Sequence, residues 1–365
     1  MRILGRVSTV AALAATTAVL AAGPAAACGG LIGPNGAVNL TRTSTFAGYH
    51  NGVEHYVTAF NFAGGGGKFG SITPLPGVPS SVVKGGDWTL QRLIRETQPV
   101  TESGAFFDGA ARSTAASAPA EVLLETKVDA LDITVLKGGG TAVGLWAKEH
   151  GFRLPPDAPD VLDFYAERSP IFLAAAFDAD RARQRGQAVG DGTPVHITIP
   201  TPNPWVPLRI LGLGKQAAEP VDADVYLLTD RKPALLPKPV DGDSVLPGDR
   251  PGIVQRHSAA ATDSLLADLR SDRGMEWIPA KDMWLTKIVV EARAGALTHD
   301  LAIDASGQGT PSRVAAGLAA AGSDLPLTRR DDGSRAALAI GLLVAVLCTA
   351  AAVGAIARRQ GTPSA

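Results

Sequence analysis

The sequence predicts an α+β fold, with mixed or antiparallel sheets and three or four packed helices, followed by one C-terminal transmembrane helix. Three observations carry this. Long strand-like runs are mixed with a few helical stretches; 41 glycines and 26 prolines punctuate them as in a loop-rich globular domain; and both ends of the 365-residue chain are apolar where the middle is polar. The first element is an export signal. Arg2 and Arg6 precede an apolar run from Val7 to Ala22, Gly23 and Pro24 break it, and Ala25-Ala26-Ala27 supplies the small residues that a signal peptidase admits. Cleavage after Ala27 leaves Cys28 as the mature N-terminus, either a lipidation site or a lone thiol. A lipobox normally carries Leu where Ala25 stands, which weakens the first alternative.

Strands open the mature domain. Ser44–Tyr49 and Val53–Phe62 flank Asn51-Gly52, a dipeptide suited to the positive φ angles of a tight hairpin. In the second arm both alternating sets are partly apolar, which predicts an internal strand. Phe69–Thr73 continues the sheet, and Pro74, Pro76 and Pro79 exclude helix after it. The first helix is read over Trp88–Thr97, with Asp87 as N-cap and Pro99 as stop. Residues 101–120, rich in Ala, Ser and Gly, mark an exposed connector and a sub-boundary.

Val122–Lys127 and Leu131–Leu136 are read as strands. A helix follows over Thr141–His150, closed by Gly151, and a second over Pro159–Arg168, capped by Asp157. Ile171–Phe177, Val195–Ile199, Val206–Leu213 and Val225–Thr229 are further strands. The Pro- and Asp-rich stretch Asp230–Ala260 reads as a surface loop, Asp263–Arg270 as a helix capped by Thr262, and Trp284–Ala292 as a late strand. Residues 306–335 read as a flexible stalk with a short helix at Val314–Ala321.

The last element is Ala336–Ile356, 21 residues without charge, followed by Arg358 and Arg359. At ~1.5 Å per residue it spans roughly 30 Å, a bilayer core. The expected organisation is therefore a signal peptide (1–27), an extracytoplasmic domain (28–305), a stalk (306–335), a transmembrane helix (336–357) and a cytoplasmic tail (358–365). Cys28 falls at the mature N-terminus and Cys348 within the expected membrane span, so they cannot pair within one chain and apolar burial must hold the domain together. Between the ends the chain keeps all 35 acids and all but four of its 34 Lys and Arg, a net charge of about −5. That argues against a nucleic-acid partner, which needs a basic face.

The order of several short motifs resembles a bacterial family of exported, membrane-anchored proteins known as domain of unknown function 2330. The residues are Cys28-Gly29-Gly30, the hairpin leading to Pro74-Leu75-Pro76, and Gly151-Phe152-Arg153-Leu154-Pro155-Pro156. To these are added Pro207-Leu208-Arg209-Ile210, Tyr226-Leu227-Leu228-Thr229 and Trp284-Leu285-Thr286-Lys287. The resemblance implies an exported envelope protein and brings no activity, cofactor or catalytic residue with it.

Chemical motifs fail their spacing tests. Gly64-Gly65-Gly66-Gly67-Lys68 lacks the leading glycine and the trailing hydroxyl of a phosphate loop, and the run from Gly138 puts Val143 where a dinucleotide fingerprint needs glycine. His50, His55, His150, His196, His257 and His299 are not spaced as metal ligands, and no serine-hydrolase elbow is present. His150 is placed to complement its helix dipole. Asp222 with Asp224, and Asp241, Asp243 and Asp249, are candidate calcium oxygens or simply solvated acids. Glu121, Glu125, Asp129 and Asp132 could furnish a glycosidase pair only if the fold sets their separation. No catalytic, cofactor or metal residue is assigned. The expectation is a single-pass envelope protein whose domain binds an envelope protein or wall component, lying against the lipid bilayer. The alternative is a membrane-tethered hydrolase of wall polymer or peptide.

Overall fold

The computed structural model describes residues 25–26, 30–33, 36–37, 42–60, 69–98, 121–186, 193–246, 248–305 and 309–321. The chain divides into a body, Met1–Leu318, and a second unit, Ala319–Ala365. In chain order the strands are β1 (Ala25–Ala26), β2 (Gly30–Gly33), β3 (Gly36–Ala37), β4 (Arg42–His50), β5 (Val53–Phe60), β6 (Gly70–Leu75), β7 (Ser81–Lys84), β8 (Glu121–Val128) and β9 (Leu131–Lys137). They continue as β10 (Ile171–Phe177), β11 (Thr193–Pro200), β12 (Trp205–Val206), β13 (Pro220–Thr229), β14 (Ala234–Leu236), β15 (Val240–Asp241), β16 (Gly252–Ala260), β17 (Trp284–Arg293) and β18 (Leu301–Asp304). The helices are α1 (Thr89–Thr97), α2 (Gly139–Glu149), α3 (Ala158–Ala166), α4 (Ala179–Gln184) and α5 (Asp263–Arg270).

Two sheets stack between two helix layers, because the strands bury apolar residues on both faces. The larger sheet runs β15-β16-β17-β13-β4-β5-β11-β7, with β1 beside the start of β4; the second runs β3-β2-β6-β10-β9-β8; a small third sheet is β12-β18-β14. On β13, Val225 and Leu227 join a core with Leu173 and Val135 of the second sheet. Tyr226 and Leu228 turn the other way, onto Leu93 of α1 and Leu265, Leu266 and Leu269 of α5. On β10, Ile171 and Leu173 point inward, whereas Phe172 and Ala174 meet Val143 and Trp146 of α2 and Leu162 and Tyr165 of α3. Each such side chain, taken from water, contributes about 2 kcal/mol. Runs such as Tyr226-Leu227-Leu228 are thus continuous rather than alternating because the central strands are covered on both faces.

The hairpin forms as expected, with Asn51 at φ 51° and Gly52 at φ 79°, and β5 is an internal strand between β4 and β11. Thr262 caps α5, its side chain accepting from Leu265 N at 3.1 Å. Gly151 follows α2 at φ 73°. Other expectations are corrected. The helices number five among the described residues, α4 being the addition. Asp87 does not cap α1; Trp88 occupies the cap position without a side-chain bond. Asp157 stands at the start of α3, but its carboxylate accepts from Gly214 N instead. Val206–Leu213 is not a strand, since β12 ends at Val206 and a 3-10 turn occupies Arg209–Gly212. Asp230–Ala260 is not one loop: it carries β14, β15 and the nine-residue β16, paired along β17.

Of the expected stalk, residues 309–318 are bound to the body rather than free. Asp300 N donates to Ala316 O at 3.0 Å, Arg168 Nη1 donates to Ala315 O at 2.6 Å, and Ala316 is buried. The short helix expected at Val314–Ala321 is a series of turns. Cleavage at Ala27, the Cys28 site, the connector 101–120, the Gly64–Gly67 run and the apolar segment 336–356 lie outside the described residues. No helix among the described residues is long and apolar enough to cross a membrane.

Candidate functional site

Most of the acids singled out from sequence are occupied by basic or backbone partners of their own. Asp222 pairs with Arg250 at 2.9 Å and Asp224 with Lys287 at 3.5 Å. Asp241 accepts from Asp243 N at 3.1 Å, a turn cap. Asp129 pairs with Lys84, Glu121 with Lys137, and Asp132 with Arg181 and Lys127, so these carboxylates do not converge. No group of three His, Cys, Asp or Glu side chains is disposed to hold a metal ion among the described residues. His150 Nδ1 lies 2.9 Å from Trp146 O, where its N–H serves a carbonyl at the end of α2. His50 donates from Nδ1 to Asp230 at 2.6 Å, an acid–base dyad in outline. Its Nε2, the atom that would face a nucleophile, instead accepts from the Asn51 side chain at 2.8 Å. That pair closes the hairpin.

Two buried aspartates do structural work. Asp272 accepts from Trp88 N, Thr89 N and Thr89 Oγ1, at 3.1, 2.8 and 2.6 Å, and so caps α1 from a loop 183 residues further on. Asp300 is fully buried and accepts from Tyr165 Oη, Leu208 N, Arg209 N and Arg168 Nη2, at 2.9, 2.7, 2.9 and 2.5 Å. Arg168 lies over the rings of Phe164 and Trp205. Four bonds on one carboxylate offset much of the cost of taking the ion pair from water.

The unusual chemistry is on β5, where neighbouring residues go to opposite faces. Glu54 points into the space between the sheets, flanked across the ladder by Tyr49 and Ile199. It is fully buried and neither carboxyl oxygen completes a hydrogen bond among the described residues. Desolvation pushes its pKa up to about 8, with the Trp205 backbone amide offsetting part of the shift, so the acid is neutral at pH 7. Burial likewise raises the Tyr49 phenol, helped by the charges of Glu54, Asp230 and Asp304. Its hydroxyl donates to Thr201 O at 2.9 Å.

His55 points to the helix side. Its Nδ1 lies 3.1 Å from His196 Nε2 on β11, one step diagonally across the ladder. The Trp277 indole stacks on the His55 ring at 3.9 Å and 5°. Gly48, opposite His55 on β4, makes room for it: a Cβ there would meet the indole at 2.3 Å. An aromatic thus covers the glycine gap in the sheet. Burial first, then the charges of His196 and His50, lowers the His55 pKa to about 3; burial lowers that of His196 to about 4 against a small opposing pull from Glu276. Both rings are neutral at pH 7.

Both histidines are legible in the sequence as strand residues, but their pairing is not, because 141 residues separate them and strand order is not a local property. Glu54 carried a usable signal, a lone acid inside an internal strand whose alternate positions are apolar on both faces. Trp277 and Gly48 carried none until β4 and the loop after α5 were brought together.

Comparison with known proteins identifies a family. Residues 22–304 match the family described as uncharacterized protein conserved in bacteria (DUF2330), and the chain belongs to it. No curated protein matches the sequence. Among solved structures, a mutated baculovirus P35 after caspase cleavage aligns with 72% of this chain and 99% of its own, at 6% identity and a TM-score of 0.38.

Proposed function

We propose that this DUF2330 member is a single-pass cell-envelope protein, its body outside the cytoplasmic membrane and residues 358–365 inside, and that the body holds a partner or stabilises an assembly. The observation that carries the reading is the clamp at the C-terminal end of the body. The buried Arg168–Asp300 pair grips residues 315–316, just ahead of the uncharged Ala336–Ile356 run. Two hydrogen bonds to backbone carbonyls, one from the Arg168 guanidinium of that pair, hold the segment where a free stalk needs no such contact. The use of Asp272, Asp300 and the His50–Asp230 pair as struts supports a scaffold over a turnover site.

The test is protease added to intact spheroplasts, with mass spectrometry of the membrane-extracted chain. The expected result is loss of the body with the Ala336–Ile356 run retained, and a mature chain beginning at Cys28. A body protected in intact spheroplasts, or an intact Met1, overturns the reading. A photo-crosslinking residue placed at Val78 or Val83, both exposed, should give one discrete adduct in cells if the body holds a partner.

A further inference from the structure

We propose that residues 272–283 form an acid-released strap: proton uptake by the His55–His196 pair frees Trp277 from β5 and withdraws Asp272 from the start of α1. The strap joins α5 to β17 and is fastened at two points already described. Asp272 caps α1, and Trp277 lies on His55 and Gly48. Between them Gly274, at φ 78°, lies against His196: a Cβ there would be 2.9 Å from Nδ1.

The proton count of the pair makes this contact decisive. The 3.1 Å bond takes one hydrogen. In the favoured neutral arrangement His196 donates from Nε2 to His55 Nδ1, leaving His196 Nδ1 as a bare lone pair, buried and without a partner among the described residues. A further proton can add to that lone pair directly. Alternatively His55 becomes the cation and donates from Nδ1, which obliges His196 to accept at Nε2 and to carry its own hydrogen on Nδ1. Either route sets an N–H at His196 Nδ1, facing the strap with no acceptor. A buried donor left unpaired is unfavourable, more so when charged, and moving the strap relieves it by admitting water. The charged groups around the pair do not rescue it. His50 on β4 repels a proton, and Glu276 of the strap attracts it only weakly. Glu54 faces the other side of β5. Lys84 on β7 reaches Asp87 and Asp129, Arg92 on α1 reaches Glu96 and Asp268, and Asp272 is bound to the α1 amides.

The inference stands whichever side of a membrane the body occupies. It is tested by amide hydrogen exchange on the full chain at pH 7.5 and 4.5, corrected for intrinsic rates. A histidine at about 6.5 when exposed and about 4 when strapped predicts exchange in residues 272–283 and at the first turn of α1 rising roughly seventy-fold in acid. His196→Asn should abolish that step, and His257→Asn should keep it. Gly48→Ala, whose methyl displaces the indole, should give at pH 7.5 the pattern the parent gives at pH 4.5. Unchanged exchange in this segment at pH 4.5, a step surviving in His196→Asn, or an acid pattern unlike that of Gly48→Ala overturns the proposal.

Discussion

Glu54 and His55 are adjacent in the chain and occupy opposite sides of one strand, and the comparison shows how burial treats an acid and a base. Each loses its charge, since the low-dielectric interior disfavours the ionised form of either. The consequences for stability run in opposite directions. Glu54 has its folded pKa raised to about 8, so its contribution is fully present below the unfolded value near 4.5 and is lost as pH rises through about 8. His196 has its folded pKa lowered to about 4, so stability is full above the unfolded value of 6.5 and falls as pH drops toward 4. Glu54 on β5 and His196 on the neighbouring β11 therefore limit the protein at the two ends of the pH range, with the sandwich interior vulnerable to base and the strap side to acid.

The largest expected effect breaks the comparison at its alkaline limb. Between pH 4.5 and 9 the parent should lose on the order of 4 kcal/mol through Glu54, and Glu54→Gln should flatten that limb while leaving the acid limb intact, as read by urea unfolding at each pH. Loss of both limbs in this variant would mean that the two faces are not independent. Next, His196→Asn should remove on the order of 3 kcal/mol of acid destabilisation between pH 6.5 and 4, without moving the alkaline limb. Asp272→Ala should cost about 2 kcal/mol at neutral pH by leaving the α1 amides uncapped, and should loosen the strap while sparing the Glu54 side. The smallest is Thr262→Ala, about 1 kcal/mol from the α5 cap; a shift in either pH limb with this variant would show that the helix layer couples to β5.

What could be read early depended on range. The Asn51-Gly52 turn, the Thr262 cap and the strand Ile171–Phe177 came out as expected, because each depends on residues a few positions apart. Local sequence offers Asp87, the nearest acid, as the α1 cap, whereas Asp272 provides it through folding alone. Strand β16 was hidden in a Pro- and Asp-rich stretch with little periodicity; its pairing with β17 makes it a strand. Segment 309–318 looked like linker by composition, yet Arg168 and Asp300 hold it. At the candidate site each residue was visible singly and none of the contacts was.

By itself the sequence determined the α+β class, most helices and central strands, the apolar termini and the motif order that marks the family. Turn chemistry, capping and hydrophobic period act over four or five residues, so a linear reading contains them. Only the tertiary structure decided that Glu54 would be sealed between two sheets, that His55 would meet His196, and that Trp277 would fill the space Gly48 leaves. Those outcomes depend on which surfaces exclude water from which groups, and water is excluded by neighbours that the chain supplies from more than a hundred residues away.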